Sequence, residues 1–321
     1  MTVVVLGAGA FGTALAIALG LAGRPVTLWT RDARDATEMA RLRQNPRRLP
    51  GAILPASVTI SAGLDTVSGA DAVLLAIPMQ SIAAFLTTEG HRLSGLPVVA
   101  CAKGMNLETA EGPTALIGRL VPGATPAILT GPSFAADIAR GLPTALTLAT
   151  ADDATGERLQ AMLSTPTLRL YRTTDTVGAE VGGALKNVVA IAAGVAIGAG
   201  LGDSARAALV TRGFAEMTRL AAALGGRPET LSGLSGLGDL ILTCTSAQSR
   251  NFGYGMSLGR REGFDPAVTV EGRATSVAAA SLGGRLGLDV PVTKMVAALS
   301  HGRLSIGEAV EALLARPLRK E

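Results

Sequence analysis

Several groups of residues in this chain stand at spacings that could do chemistry. Gly7, Gly9 and Gly12 form G-x-G-x-x-G in the stretch TVVVLGAGAFGTALA, where an apolar β-branched run gives way to an alanine-rich one. In that context the first glycine permits a tight turn, the second lets a pyrophosphate approach the backbone, and the third lets helix and strand pack closely. Free N–H groups at the helix start would face the anion. Lys103 follows the apolar run PVVACA, and Gly131-Pro132-Ser133-Phe134-Ala135 follows AILT. Both sit where open parallel sheets bind ligands, so the ammonium could attract a phosphate or polarise a carbonyl, and the turn with its hydroxyl suits an anion.

Two further groups lie in the second half. Lys186 occurs in EVGGALKN, flanked by residues too small to cover it. A lysine held in an apolar setting loses hydration, and its pKa falls toward the range useful for acid/base work; the same lysine could also snorkel from a helix. Asp239 ends LSGLGD and is followed by LTCT and by Ser249-Arg250-Asn251. Glycines before a carboxylate, then hydroxyl, guanidinium and amide, predict a polar lip over a substrate, with Arg250 forking onto phosphate oxygens. Such a segment could also be a surface loop.

The elements that must position these residues follow from the apolar pattern. VVVL, the glycine turn and ALAIALGLAG read as strand, turn and helix, and PVTLWT completes a βαβ unit. AVLLAI, PVVACA and AILT are short buried strands, while TALTLA and LRLYR are strands that close the sheet around a helix over 152–164. From Val177 onward long Ala, Gly and Leu stretches replace strand alternation. The expected fold is therefore a doubly wound, mainly parallel Rossmann domain over 1–175 and an all-α domain over 176–321, with the boundary near Asp175.

Composition narrows the classes. Of the 321 residues 48% are apolar and 17% charged, ample for buried cores and unlike disorder. The net charge is +4, but aromatics are only 3% and no nucleic-acid motif occurs, so an anionic small molecule suits the balance better. The basic stretch Arg41 to Arg48 reads as a solvated face. Cys101 and Cys244 give no disulfide framework, and His91 and His301 stand apart without ligand neighbours, so no metal site is expected and both histidines read as surface residues. Without a signal-peptide pattern the expected compartment is the cytoplasm. The apolar stretch Val188 to Leu201 is shorter than a membrane span and reads as a buried helix.

The segments GAGAFGTALA, AKGM, GPSFAADIA, GGALKNVVAIAAG, ARAALVTRG, GLSGLGDLILTCTS, SRNFGYG and VEGRAT, in that order, resemble the bacterial NAD(P)-dependent glycerol-3-phosphate dehydrogenase family over nearly the whole chain. The resemblance implies reversible reduction of dihydroxyacetone phosphate to sn-glycerol 3-phosphate, which supplies phospholipid synthesis. It also implies a helical domain of the 6-phosphogluconate dehydrogenase type. By motif, Ala10, Phe11, Arg31, Lys103, Ala135, Arg250 and Glu271 would touch the cofactor beside the three glycines. Lys103, Gly131, Ser133, Lys186, Asp239, Ser249, Arg250 and Asn251 would face the phosphorylated triose. Lys186 matches the proton donor and acceptor; Asp239 would hold that lysine or a substrate hydroxyl, and Lys103 would add positive potential.

Where the dinucleotide-binding fingerprint normally has an acidic residue after the second strand, this chain has Arg31-Asp32. Arg31 could meet a 2′-phosphate and Asp32 a ribose, which leaves NAD or NADP open with NADPH slightly favoured. Met79 stands where relatives often have serine, and Ile197 and Ser204 where many have aspartate and asparagine, changes that bear on substrate positioning. A β-hydroxyacid dehydrogenase and a dinucleotide sensor without turnover are the rival readings. A homodimer is left open, because glycine-rich helices can pack within one subunit or between two.

Overall fold

The computed structural model describes residues 1–314; the end of the helical region expected to reach 321 lies outside the described residues. Strand β1 (Val3–Leu6) is fully buried, as three valines and a leucine in sequence require of a strand covered on both faces. It pairs in parallel with β2 (Val26–Trp29) on one side and, beyond β3 (Gln44–Asn45), β4 (Leu49–Ile53) and β5 (Val58–Ser61), with β6 (Ala72–Leu75) on the other. Adding β7 (Pro97–Ala100), β8 (Thr125–Thr130), β9 (Thr144–Ala149) and β10 (Leu168–Thr173) gives the sheet order β10-β9-β8-β7-β6-β1-β2-β5. Every pairing in this sheet is parallel except β8 with β9, and β3 and β4 form a separate antiparallel pair.

Helices α1 (Ala10–Leu21), α2 (Ala33–Leu42), α3 (Met79–Glu89), α4 (Pro113–Leu120), α5 (Ala135–Ala139) and α6 (Asp153–Leu163) connect the strands. Side chains of α1, α2, α5 and α6 join one buried cluster and those of α3 and α4 another, so the sheet is covered on both faces. The β1 to α1 turn needs its glycines. Gly7 has φ +120°, and a Cβ at Gly12 would meet the Gly7 carbonyl oxygen.

After β10 the chain is helical: α7 (Thr176–Gly198), α8 (Gly202–Ala223), α9 (Pro228–Ser232), a π-helical turn over Leu234–Gly238, α10 (Asp239–Thr245), α11 (Arg250–Arg260), α12 (Glu271–Arg285), α13 (Pro291–Ser300) and α14 (Ile306–Leu314). Helix α7 runs through the middle of this layer. By length and composition it could cross a bilayer, yet 89% of its most apolar window is buried inside the protein. Its glycines pack within the subunit: a Cβ at Gly194 would strike the Phe252 carbonyl oxygen of α11, and one at Gly255 would strike that of Ile191.

Helices α4 and α13 each begin with proline after a residue that offers no side-chain cap. Carboxylates from elsewhere supply the missing acceptors. Glu180 of α7 accepts from Thr114 N at 2.6 Å, and Glu216 of α8 accepts from Val292 N and Thr293 N at 2.7 and 3.0 Å.

Two features depart from the sequence reading. The edge strand β5 and the separate β3–β4 hairpin had no expectation, because strands as short as the four residues of β5 and the two of β3 carry too little pattern to register. The basic stretch is not simply a solvated face. Arg43 donates to the carbonyls of Leu54, Pro55 and Val58, and the Asn45 amide, 4% exposed, donates to Ala8 O and Thr13 Oγ1. The stretch is fastened to the glycine turn because these carbonyls and the Thr13 hydroxyl need partners away from water.

Candidate active site

A cleft of about 1660 Å³ runs from the carboxyl ends of the parallel strands to the face of the helical layer. At one end lies the glycine turn. Nothing stands within 4 Å of a Cβ placed on Gly9, and this residue, the N-cap of α1, makes no side-chain cap bond. The backbone N–H groups there are thus open to a phosphate, and the cradle fits a dinucleotide pyrophosphate. Ala10 and Phe11 continue the wall, with Arg31 and Asp32 at its far edge. Asp32 Oδ1 is already an acceptor, capping α2 at Arg34 N (2.8 Å) and Asp35 N (3.4 Å), whereas Arg31 is exposed. Arg47 and Arg48 of the hairpin line the same edge, and Arg47 pairs with Asp35 at 2.9 Å.

The other end holds a chain of charges. Lys103 Nζ lies 2.7 Å from Asp239 Oδ2, donates to Gly131 O at 2.8 Å and sits 5.9 Å from the centre of the Phe11 ring. Lys186 Nζ lies 3.1 Å from the other oxygen, Oδ1, and donates to Thr243 Oγ1 at 2.9 Å. Asp239 is 1% and Lys186 7% exposed, so one buried carboxylate stands between two ammoniums. Burial opposes charge on Asp239, but the two lysines outweigh it and hold the carboxyl below its ordinary value. Burial pushes Lys186 down to about 8; Asp239 resists that drop and Lys103 adds to it. The result is an amine whose proton is held less tightly than an ordinary lysine's.

The third part is the start of α11. Ser249 caps the helix, its hydroxyl accepting from Phe252 N at 3.2 Å, and Arg250 lines the cleft. Asn251 looks inward: its amide donates to Asn187 Oδ1 at 2.8 Å and its oxygen accepts from Gly272 N at 3.0 Å. Asn187 in turn donates to Lys103 O at 3.3 Å. Glu271 begins α12 beside the cleft, accepting from the Met79 backbone, and burial raises its pKa.

Of the residues singled out in the sequence, Gly7, Gly9, Ala10, Phe11, Arg31, Lys103, Ser133, Ala135, Lys186, Ser249, Arg250, Asn251 and Glu271 line this one cleft. Gly12 packs beneath the turn, and Gly131 contributes its carbonyl to Lys103. Asp239 corrects the expectation of a lip: it begins a helix and is buried behind both lysines, since a charge with two cationic partners is stable away from water only when enclosed by them. Lys186 is less apolar in its surroundings than the flanking glycines suggested. Sequence reading passed over Thr243 and Asn187. Thr243 stands four residues after Asp239, on the same face of one helix, and that spacing was the available signal.

Comparison with known proteins gives this arrangement its relatives. The family described as NAD-dependent glycerol-3-phosphate dehydrogenase N-terminus matches residues 2–156, and its C-terminus counterpart matches residues 175–311. The chain belongs to the NAD-dependent glycerol-3-phosphate dehydrogenase family. A glycerol-3-phosphate dehydrogenase [NAD(P)+] of Paracoccus denitrificans is 59% identical over 321 residues, the full length of both chains. One from Cereibacter sphaeroides is 60% identical over 317 residues, 99% of each chain. The crystal structure of glycerol-3-phosphate dehydrogenase from Coxiella burnetii superposes with a TM-score of 0.92 at 33% identity, covering 98% of this chain and 99% of that one. Family membership sets aside the β-hydroxyacid dehydrogenase and the sensor without turnover.

Proposed function

We propose that this chain reduces dihydroxyacetone phosphate reversibly to sn-glycerol 3-phosphate with NAD(P)H. The observation that carries the reading is the Lys103–Asp239–Lys186 array, whose two lysines line the cleft that also holds the glycine cradle and Arg250. When bound, the reduced nicotinamide supplies a hydride to the carbonyl carbon. Negative charge then grows on the carbonyl oxygen, where Lys186 delivers its proton and Lys103 contributes positive potential. In the reverse direction the neutral Lys186 amine takes the hydroxyl proton. Asp239 and Thr243 hold Lys186 in place, and Arg250 with Ser249 receives the phosphate. Gly131 and Ser133 border the substrate beside Lys103.

Gly7, Gly9, Ala10, Phe11, Ala135 and Glu271, which line the cleft, would hold the cofactor. Arg31 favours NADPH, supported by the commitment of Asp32 to capping α2. In this reading residues 1–175 supply the dinucleotide cradle, and 176–321 supply the proton-transfer lysine together with Arg250 and Glu271. The product provides the glycerol backbone of phospholipids, and we assign the protein to the cytoplasm. The test follows the loss of NADPH or NADH absorbance with dihydroxyacetone phosphate in side-by-side kinetics. Turnover with the triose phosphate, faster per Michaelis constant with NADPH, is the expected result; no turnover with either cofactor overturns the reading.

A further inference from the structure

The carboxylate of Glu180 belongs to none of the groups above, yet it joins the two layers at a sensitive place. It projects from α7 six residues before Lys186, roughly 9 Å along the helix, and accepts from Thr114 N at 2.6 Å. That donor lies in the first turn of α4, whose own N-cap, Gly112, offers no side chain. The fit is close, for any Cβ on Gly112 would collide with the Glu180 carboxylate.

Between Lys103 and α4 the chain forms a braced block. Asn106 Oδ1 accepts from Glu108 N and Thr109 N, both at 3.0 Å, and Asn106 N donates to Glu111 O at 3.0 Å. Gln80 grips the middle, donating to Met105 O at 2.7 Å and accepting from Leu107 N at 3.1 Å. Helix α7 holds both ends of this block. Asn187 donates to Lys103 O at 3.3 Å at one end and Glu180 accepts from Thr114 N at 2.6 Å at the other, while the Lys103 ammonium is held besides by Asp239 and Gly131. A segment braced in this way passes a displacement at its Thr114 end on to Lys103.

We propose that Glu180 is a positioning residue for the reaction, fixing the block that carries Lys103 against the helix that carries Lys186. The two ammoniums must flank Asp239 from separate parts of the chain, and this carboxylate sets their relative placement. The inference rests on the reading of Lys103 and Lys186 as the pair that faces substrate. Glu216 offers an internal control, because it caps α13 in the same way but within the helical layer, away from the cleft.

The experiment compares Glu180→Ala, the double variant Glu180→Ala/Gly112→Ser, Glu180→Asp and Glu216→Ala by Tm and by kcat for dihydroxyacetone phosphate reduction. Gly112 has the extended backbone of an N-cap, so the serine hydroxyl can restore the cap of α4 without restoring the tie to α7. We expect Glu180→Ala to lose about tenfold in kcat, and the double variant to regain Tm while kcat stays low. Glu216→Ala should lower Tm and leave kcat unchanged. Recovery of kcat together with Tm in the double variant, or wild-type kcat in Glu180→Ala, overturns the proposal by reducing Glu180 to a helix cap. If neither alanine variant folds, Glu180→Asp decides: one methylene short, it should lose several-fold in kcat, and wild-type kcat refutes the idea. An inactive wild-type protein would instead sink the proposed reaction, so the two failures are distinct.

Discussion

Replacing Asp239 by asparagine removes the negative charge between the Lys103 and Lys186 ammoniums while keeping the side-chain shape. In the native site Asp239 Oδ1 lies 3.1 Å from Lys186 Nζ. At an effective dielectric constant of about 20, that separation corresponds to about 5 kcal/mol of attraction favouring the charged lysine. Burial already pushes Lys186 down to about 8 against that attraction. Without it, and with Lys103 still present, the charged form weakens further; if relaxation and water recover half of the attraction, the pKa falls by about two units, to about 6. The proton needed for reduction is then mostly absent at neutral pH.

The assay is kcat/KM for reduction of dihydroxyacetone phosphate from about pH 5 to pH 9, which reports groups of the free enzyme. Wild-type reduction should decline as pH rises through about 8, where Lys186 loses its proton, and oxidation of glycerol 3-phosphate should rise through the same range. In Asp239→Asn the descending limb of reduction should move down to about pH 6. A folded, active Asp239→Asn variant whose limb stays near pH 8 would refute the coupling between the carboxylate and Lys186.

Other outcomes follow from the same geometry. Lys186→Ala should leave cofactor affinity near normal and cut turnover by about two orders of magnitude or more, measured by cofactor titration and steady-state kinetics; near-normal turnover removes its role. Arg250→Ala should raise the Michaelis constant for the triose phosphate by about tenfold or more, with a smaller change in kcat, and unchanged saturation would take it out of the site. Arg31→Ala should shift selectivity toward NADH in paired kcat/KM measurements, unless the 2′-phosphate is held elsewhere, in which case the ratio stays as in wild type. Glu216→Ala should lower stability by about 2–3 kcal/mol in urea unfolding, since two buried backbone donors of α13 lose their acceptor, and an unchanged midpoint would count against trans capping.

Some of this was legible in local sequence and some was not. The run from Val3 through Gly12 needs only its own neighbours to become strand, turn and helix, because β-branching, absent Cβ atoms and alanine each act within a few residues. The change from strand alternation to long Ala, Gly and Leu stretches likewise separated a sheet from a helical layer. The residue types at Lys103, Lys186, Asp239 and Arg250 declared what chemistry each could do, but not to which neighbour. Lys103 and Asp239 are 136 positions apart, and their 2.7 Å contact depends on how the helices settle on the strand ends.

The sequence by itself determined the dinucleotide-binding turn, the parallel sheet and the kinds of side chain available to the site. Tertiary structure alone decided that one carboxylate would sit buried between two lysines, that Asn251 would turn inward, and that Glu180 and Glu216 would cap helices distant in the chain. The physical reason is range. Backbone preferences act over one or two turns, whereas charge pairing and capping across layers arise only when packing removes water between groups that the chain order keeps apart.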